Sequence, residues 1–297
     1  MRIAVTGGTG FVGRHLLSQL KSRGHRVRAL VRHPARRSLP ALQGAEITAG
    51  DLDDPDALRG LVDGADAVVH LVGIIAERGA ATFDAVHVDG TRRLVQAARA
   101  AGIRRFIHMS ALGARDEPSA TGYHRTKRRA EDLVQGSGIP AAIFRPAVIV
   151  GAGSVPIRTL ARVHRFSPIV PVFGDGRFPM QPVWIEDVTL AFALAVERPG
   201  LSGLFELGGP EVVTYEEFVR SIGRAAGHRR PVVHVPLALV RAAARVFDRL
   251  GPLAPITSDQ LQMLVEGSVT PDNAIERVFG IRPMALHDAL GFLRGGG

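Results

Sequence analysis

The chain has 297 residues, 46% of them hydrophobic, and carries 37 Lys+Arg against 28 Asp+Glu, a formal charge of +9. With no cysteine, a disulfide framework, a thiol nucleophile and any thiolate-bound metal or cluster are excluded. The length suits one large domain or two smaller ones; the longest apolar run, residues 139–152, is too short for a membrane span and contains Arg145, and a strand-like run starting at Arg2 argues against a secretion signal.

Strand and helix patterns alternate through the first half. Residues 2–6 (RIAVT), 27–31, 45–49, 66–72, 105–109 and 140–144 are short apolar runs, and 11–23, 55–62, 82–101 and 122–135 have helical spacing. Continuous apolar strands separated by helices predict a parallel sheet covered on both faces, a doubly wound α/β Rossmann fold. From about residue 150 the texture changes. Residues 151–182 are rich in Gly and Pro and read as loops around a helix at 157–166. A strand and helix are expected at 182–197, with 180–197 returning to the sheet, and short strands at 204–207 and 231–235 with helices near 215–226, 237–250, 258–266, 272–278 and 286–294 complete a smaller C-terminal α+β lid. The expected division is 1–150 for nucleotide binding and 151–297 for the lid.

Residues 6–13 read TGGTGFVG, directly between the first strand and the first helix. Gly7 permits a tight turn, Gly10 lets a diphosphate approach the backbone, and Gly13 lets the helix pack on the strand. Thr6, Gly7, Gly8, Thr9, Gly10, Phe11, Val12 and Gly13 are therefore expected around a nicotinamide dinucleotide. The second strand ends at Val31, where an acid would hold a ribose 2′-hydroxyl; Arg32 stands there instead, followed by His33, Arg36 and Arg37. A 2′-phosphate would be attracted, so NADP(H) is expected over NAD(H).

Only two residues are lysine, Lys21 and Lys127, and two are tyrosine, Tyr123 and Tyr215. One of each falls in Tyr123-His124-Arg125-Thr126-Lys127, a coincidence of about 1 in 100 by simple counting. Four residues apart on a helix, the two side chains share a face, and an ammonium there is expected to lower the phenol pKa so that Tyr123 exchanges a proton with a substrate oxygen.

The glycine spacing and the Tyr–Lys pair resemble the extended branch of the short-chain dehydrogenase/reductase superfamily, the epimerase/dehydratase-like group. The segments 87–114, 123–134, 144–153, 173–188 and 205–219 are similar to bacterial relatives of the nucleotide-binding accessory subunit of respiratory complex I. The resemblance implies Tyr123 as acid/base, Lys127 also as ribose anchor, and Ser110 as a hydroxyl near the substrate oxygen. It places Asp51 and Leu52 beside the adenine, His70, Leu71 and Val72 beside the ribose, and Arg145, Pro146, Ala147 and Val148 at the cofactor. The chain departs from the pattern twice: Leu112 stands where the catalytic hydroxyl is expected, with Ser119 and Thr121 as substitutes, and His87 replaces an Asn.

Three functions follow: an NADP(H)-dependent oxidoreductase acting on a small carbonyl, quinone-like or nucleotide-sugar substrate; an NADPH-holding structural or assembly protein of a respiratory membrane complex; and an NADP(H)-sensing regulator. The arginines are scattered and aromatic residues are only 5%, so no nucleic-acid partner is expected. A cytoplasmic location is expected, with peripheral contact to a membrane or respiratory complex as the alternative. The histidines show no metal spacing. Asp53, Asp54 and Asp56 read as helix-capping acids, Gln181 and Trp184 as cleft or packing residues. Residues 232–250, with Arg241, Arg245 and Arg249, read as a helix covering its own core or lying on an anionic surface.

Overall fold

The computed structural model describes residues 1–34, 42–248 and 256–294, so Arg36, Arg37 and Arg249 lie outside the described residues. The chain divides into two compact units: Met1–Arg145 with Val188–Phe205, and Pro146–Asp187 with Glu206–Gly297. The expected boundary at residue 150 falls inside the second.

The first unit holds strands β1 (Arg2–Thr6), β2 (Arg26–Val31), β3 (Glu46–Ala49), β4 (Ala67–His70), β5 (Phe106–Met109) and β6 (Ala141–Pro146). Their order is β6-β5-β4-β1-β2-β3, every neighbouring pair parallel, and a seventh strand, Gly203–Leu207, lies beyond β6. The chain reverses direction across the sheet between β1 and β4, which opens the crevice where such sheets bind ligands. Helices α1 (Phe11–Ser22), α2 (Pro55–Val62), α3 (Gly90–Ala100) and α4 (Gly122–Gln135) are the crossovers. Leu58, Leu61, Leu94, Val68, Phe106 and Ile143 form one core. Successive strand residues face opposite ways, so Phe144 points to the other face, where Phe192 stacks on it at 4.3 Å.

Two strand expectations are corrected. The strand Val183–Trp184 pairs with Ile149–Val150 outside the main sheet, whereas Gly203–Leu207, read as part of the lid, is the sheet's seventh strand. The Gly- and Pro-rich stretch of the second unit is also more ordered than its composition suggests. It contains Val170–Phe173, paired in parallel with Val232–Val235, and Pro179–Met180, antiparallel to Val213–Thr214. These strands are too short to show a period. Gln181 serves packing: its amide donates to the Gly209 carbonyl at 2.8 Å and its oxygen accepts from the Thr270 N–H at 3.0 Å.

Two polar clamps close the first unit. The buried Arg105 guanidinium donates to the carbonyls of Ala195, Pro199 and Leu201, where helix Ile185–Glu197 ends. Glu197 accepts from Arg23 through both carboxylate oxygens and lies 3.0 Å from His25, which ties the α1–β2 turn to the same helix end. These bonds hold the Glu197 carboxyl down at about 2. A carboxylate depressed from its unfolded value contributes stability above about pH 4.5, lost as pH falls toward 2. Glu197→Gln is therefore expected to cost about 1 kcal/mol at neutral pH. Paired thermal melts will read this, and the difference from the parent should shrink at about pH 3.

Candidate active site

The glycine loop is built as its spacing requires. Gly7 has φ +77°, and a Cβ there would lie 3.0 Å from the backbone of Leu71 and Val72. A Cβ on Gly13 would stand 2.2 Å from the Gly7 oxygen. Helix α1 starts after Gly10 with no side-chain cap and no acid in its first turn. Its first N–H groups and positive dipole end are thus unclaimed by side chains, the donor set a diphosphate needs. Arg32 is exposed at the end of β2. Leu71 hydrogen-bonds through its N–H to the Thr6 carbonyl at 3.1 Å, which sets the β4 exit against the loop. Asp51 accepts from the N–H of Asp53 at 2.9 Å, Asp54 caps α2 through Asp56 and Ala57, and Leu52 packs beneath Gly90.

Tyr123 and Lys127 do share a face of α4, with the ammonium 6.0 Å from the ring centroid. Lys127 is buried, and its Nζ donates to the Met109 carbonyl at 3.0 Å. Burial lowers this ammonium to about 8, while Glu131 one turn further along opposes the shift. Part of the surface of Tyr123 stays open, yet its ring is fenced at 5.9 Å by Phe83, 5.6 Å by His87 and 5.5 Å by His124. The expected lowering of the phenol pKa does not occur: loss of water pushes it up to about 12. Desolvation outweighs an ammonium several ångströms from the ring.

Ser110 directly follows the carbonyl that holds Lys127, at the C-terminal end of β5, and its buried Oγ has no hydrogen-bond partner among the described residues. Of the substitutes, Thr121 is committed as the N-cap of α4, accepting from the His124 N–H at 3.1 Å, and Ser119 is exposed. Leu112 leaves no hydroxyl at its position.

The side chains of His70 and Thr6, both expected near the cofactor, are engaged with each other. Both are fully buried, on paired positions of β4 and β1, with Thr6 Oγ1 2.6 Å from His70 Nδ1. The neighbours fix the proton positions. The Thr91 hydroxyl donates to the His87 carbonyl at 2.5 Å, so it accepts from His70 Nε2 at 3.0 Å, and Thr6 donates to Nδ1. His87 Nε2 accepts from the Ile74 N–H at 3.0 Å, so its proton is on Nδ1, which donates to Thr126 Oγ1 at 2.9 Å. Thr126 in turn donates to the carbonyl of Gly122 or Tyr123. Hydrogen bonds thus link the glycine loop to the Tyr–Lys helix, relayed through the backbone and ring of His87. Burial, with Lys127 nearby, lowers His70 to about 3 and His87 to about 2, and holds His108 well below its usual value. The expected continuous helix over 82–101 is interrupted to build this network: Asp84–Asp89 is a π-helical turn leading into α3.

Arg145 is likewise committed within the protein, donating through Nε and Nη2 to the two oxygens of buried Glu131 at 2.7 and 2.6 Å. Pro146, Ala147 and Val148 belong to the second unit, where Ala147 donates to the Leu207 carbonyl and Val148 accepts from the Val183 N–H.

A family model described as NAD(P)H-binding matches residues 7–167. The chain belongs to this family, within the extended short-chain dehydrogenase/reductases. It is 36% identical to a ceramide reductase of Caulobacter vibrioides, over 83% of this chain and 77% of that protein. It is 31% identical, over 84% and 80%, to a 4-hydroxy-2-methyl-3-oxo-4-farnesyl-3,4-dihydroquinoline-1-oxide ketoreductase of Stigmatella aurantiaca. It is 28% identical, over 92% and 71%, to the mitochondrial NADH dehydrogenase [ubiquinone] 1 alpha subcomplex subunit 9 of Arabidopsis thaliana. In fold it is similar to a UDP-glucose 4-epimerase of Thermus thermophilus solved with NAD, with a TM-score of 0.76 at 21% identity and all of both chains covered. A nicotinamide dinucleotide is thus the ligand of this chain.

The two glycines separate folding from binding. Gly13→Ala is expected to lose about 2–3 kcal/mol of stability through its clash with Gly7. Gly10→Ala, whose Cβ would meet only the Gly7 oxygen at 3.2 Å, should melt near the parent yet lose most of its cofactor affinity in calorimetric titration.

Proposed function

We propose that this protein is an NADP(H)-dependent reductase interconverting a ketone and a secondary hydroxyl on a bulky apolar molecule. The observation that carries the reading is the buried Lys127 ammonium, held by the Met109 carbonyl on the face of α4 that bears Tyr123, with Ser110, whose hydroxyl is unengaged, following Met109 in the chain. When bound, the nicotinamide gives or takes the hydride. Tyr123, kept protonated by burial, donates its proton to the carbonyl oxygen. The charge of Lys127 favours the phenolate left behind. Ser110 bonds the same oxygen and orients it. Arg32 supports the choice of NADP(H), since its exposed guanidinium stands where an acid would hold a 2′-hydroxyl. The substrate class draws on the relatives whose names specify ceramide and a farnesylated quinoline oxide; the nucleotide-sugar epimerase shares the fold at an identity that carries no substrate.

A second reading, a cofactor-holding subunit without turnover, is favoured by Leu112 at the hydroxyl position and by the similarity to the Arabidopsis subunit. Turnover against long-chain keto-lipids and keto-steroids with NADPH separates the two. Under the first, Tyr123→Phe cuts the rate by about a thousandfold with cofactor affinity kept. The rate also falls as pH rises through about 8, where Lys127 loses its proton. Stoichiometric NADPH with no turnover supports the second. Arg32→Ala is expected to reduce the preference for NADPH over NADH about tenfold in fluorescence titration; an unchanged ratio rejects the NADP(H) assignment.

A further inference from the structure

No Asp or Glu occurs between Asp132 and Asp175, or between Glu217 and Asp248. In the second unit these stretches form helices Val155–Phe166 and Leu237–Phe247 and the parallel strands Val170–Phe173 and Val232–Val235. Helix Val155–Phe166 turns Ile157 and His164 inward, the latter 3.0 Å from the Val219 carbonyl. Its outward stripe carries exposed Arg158, Arg162 and Arg165 with two large apolar side chains, Val155 (59% exposed) and Phe166 (77%). The Arg165 guanidinium lies 5.4 Å from the Phe166 ring, and Ile169 extends the apolar patch. Arg230 donates to the carbonyls of His164 and Arg165, which brings a further cation to this helix end.

Helix Leu237–Phe247 also carries exposed arginines, on a different flank from its exposed apolar side chains. Val240 and Ala244 cover the core, Leu239 (63% exposed) and Val246 are the exposed apolar residues, and Arg241 and Arg245 the arginines.

Other surface arginines have acidic partners, Arg220 with Glu216 and Arg277 with Asp272 in the same unit. In the first unit, Arg59, Arg92, Arg93, Arg104 and Arg129 each face a carboxylate. Among the described residues, no carboxylate is paired with Arg158, Arg162, Arg165, Arg241 or Arg245. Unpaired guanidinium groups alone would suit any polyanion, and exposed apolar residues alone would suit another protein. Alternated on one helix face, with aliphatic stems and an aromatic ring between the charges, they match an anionic bilayer interface: phosphate at the level of the arginines, acyl chain below.

We propose that the outward face of Val155–Phe166 docks on an anionic phospholipid surface. The inference stands apart from whether the chain turns over substrate. Flotation of the full protein with phosphatidylcholine vesicles, with and without phosphatidylglycerol, tests it. Binding is expected to rise about tenfold or more with phosphatidylglycerol and to fall with salt. Arg158→Glu with Arg162→Glu should lose that gain, and Phe166→Ser should weaken binding at constant charge, both with the parent's melting temperature and cofactor affinity. Arg59→Glu with Arg104→Glu removes the same charge from the first unit and should bind vesicles far better than the Arg158/Arg162 pair. Equal binding to both vesicle types, or equal losses in the two double variants, overturns the proposal. So does stripping by plasmid DNA of the parent and Phe166→Ser alike, which would mark an unselective polyanion surface.

Discussion

The interior of the first unit is organised around the buried ammonium of Lys127. An ammonium removed from water is costly unless its donors are occupied and an opposite charge lies within reach. Lys127 meets both conditions incompletely: one carbonyl is fixed at Nζ, and Glu131 sits one turn away but shares its oxygens with Arg145. What surrounds the ammonium follows from that. His70, His87 and His108 are three imidazoles that must remain neutral beside it, and each is held so by burial and by the field of the lysine. Gly73 is glycine for the same reason, since a Cβ there would come within 2.9 Å of Nζ.

The histidine chain gives the arrangement its rigidity. Every link is a short contact between buried groups whose donor and acceptor roles are fixed by a backbone N–H or carbonyl, so no ring can flip without breaking two bonds. It joins three pieces far apart in sequence: the start of the glycine loop, the π turn before α3, and the first turns of α4. His87, which departs from the family pattern, is therefore a structural member of this network rather than a gap in it.

The strands and crossovers of the first unit were legible because buried parallel strands are unbroken apolar runs, and the glycine loop because its geometry leaves no other residue at 7 and 13. The Tyr–Lys pair was legible through scarcity. The pairing of Thr6 with His70 was not, since it depends on a β1–β4 register that no local pattern encodes. The π turn was hidden because Val88, Thr91, Val95 and Ala98 keep an ordinary helical spacing out of it. The direction of the Tyr123 shift was misjudged because spacing reveals that an ammonium is near, not how much water has been lost. In the second unit, strands of two to four residues carry too few side chains to show any period.

The scarcity of lysine has one more consequence. Beyond the chain's N-terminus, its amines are Lys21, whose Nζ rests on the exposed carbonyl of Gln43, and Lys127, sealed in the interior. A protein with this inventory reports on itself: acylating reagents reach the buried amine only when its surroundings open. The rate at which Lys127 becomes modifiable is thus a direct clock for local opening around α4.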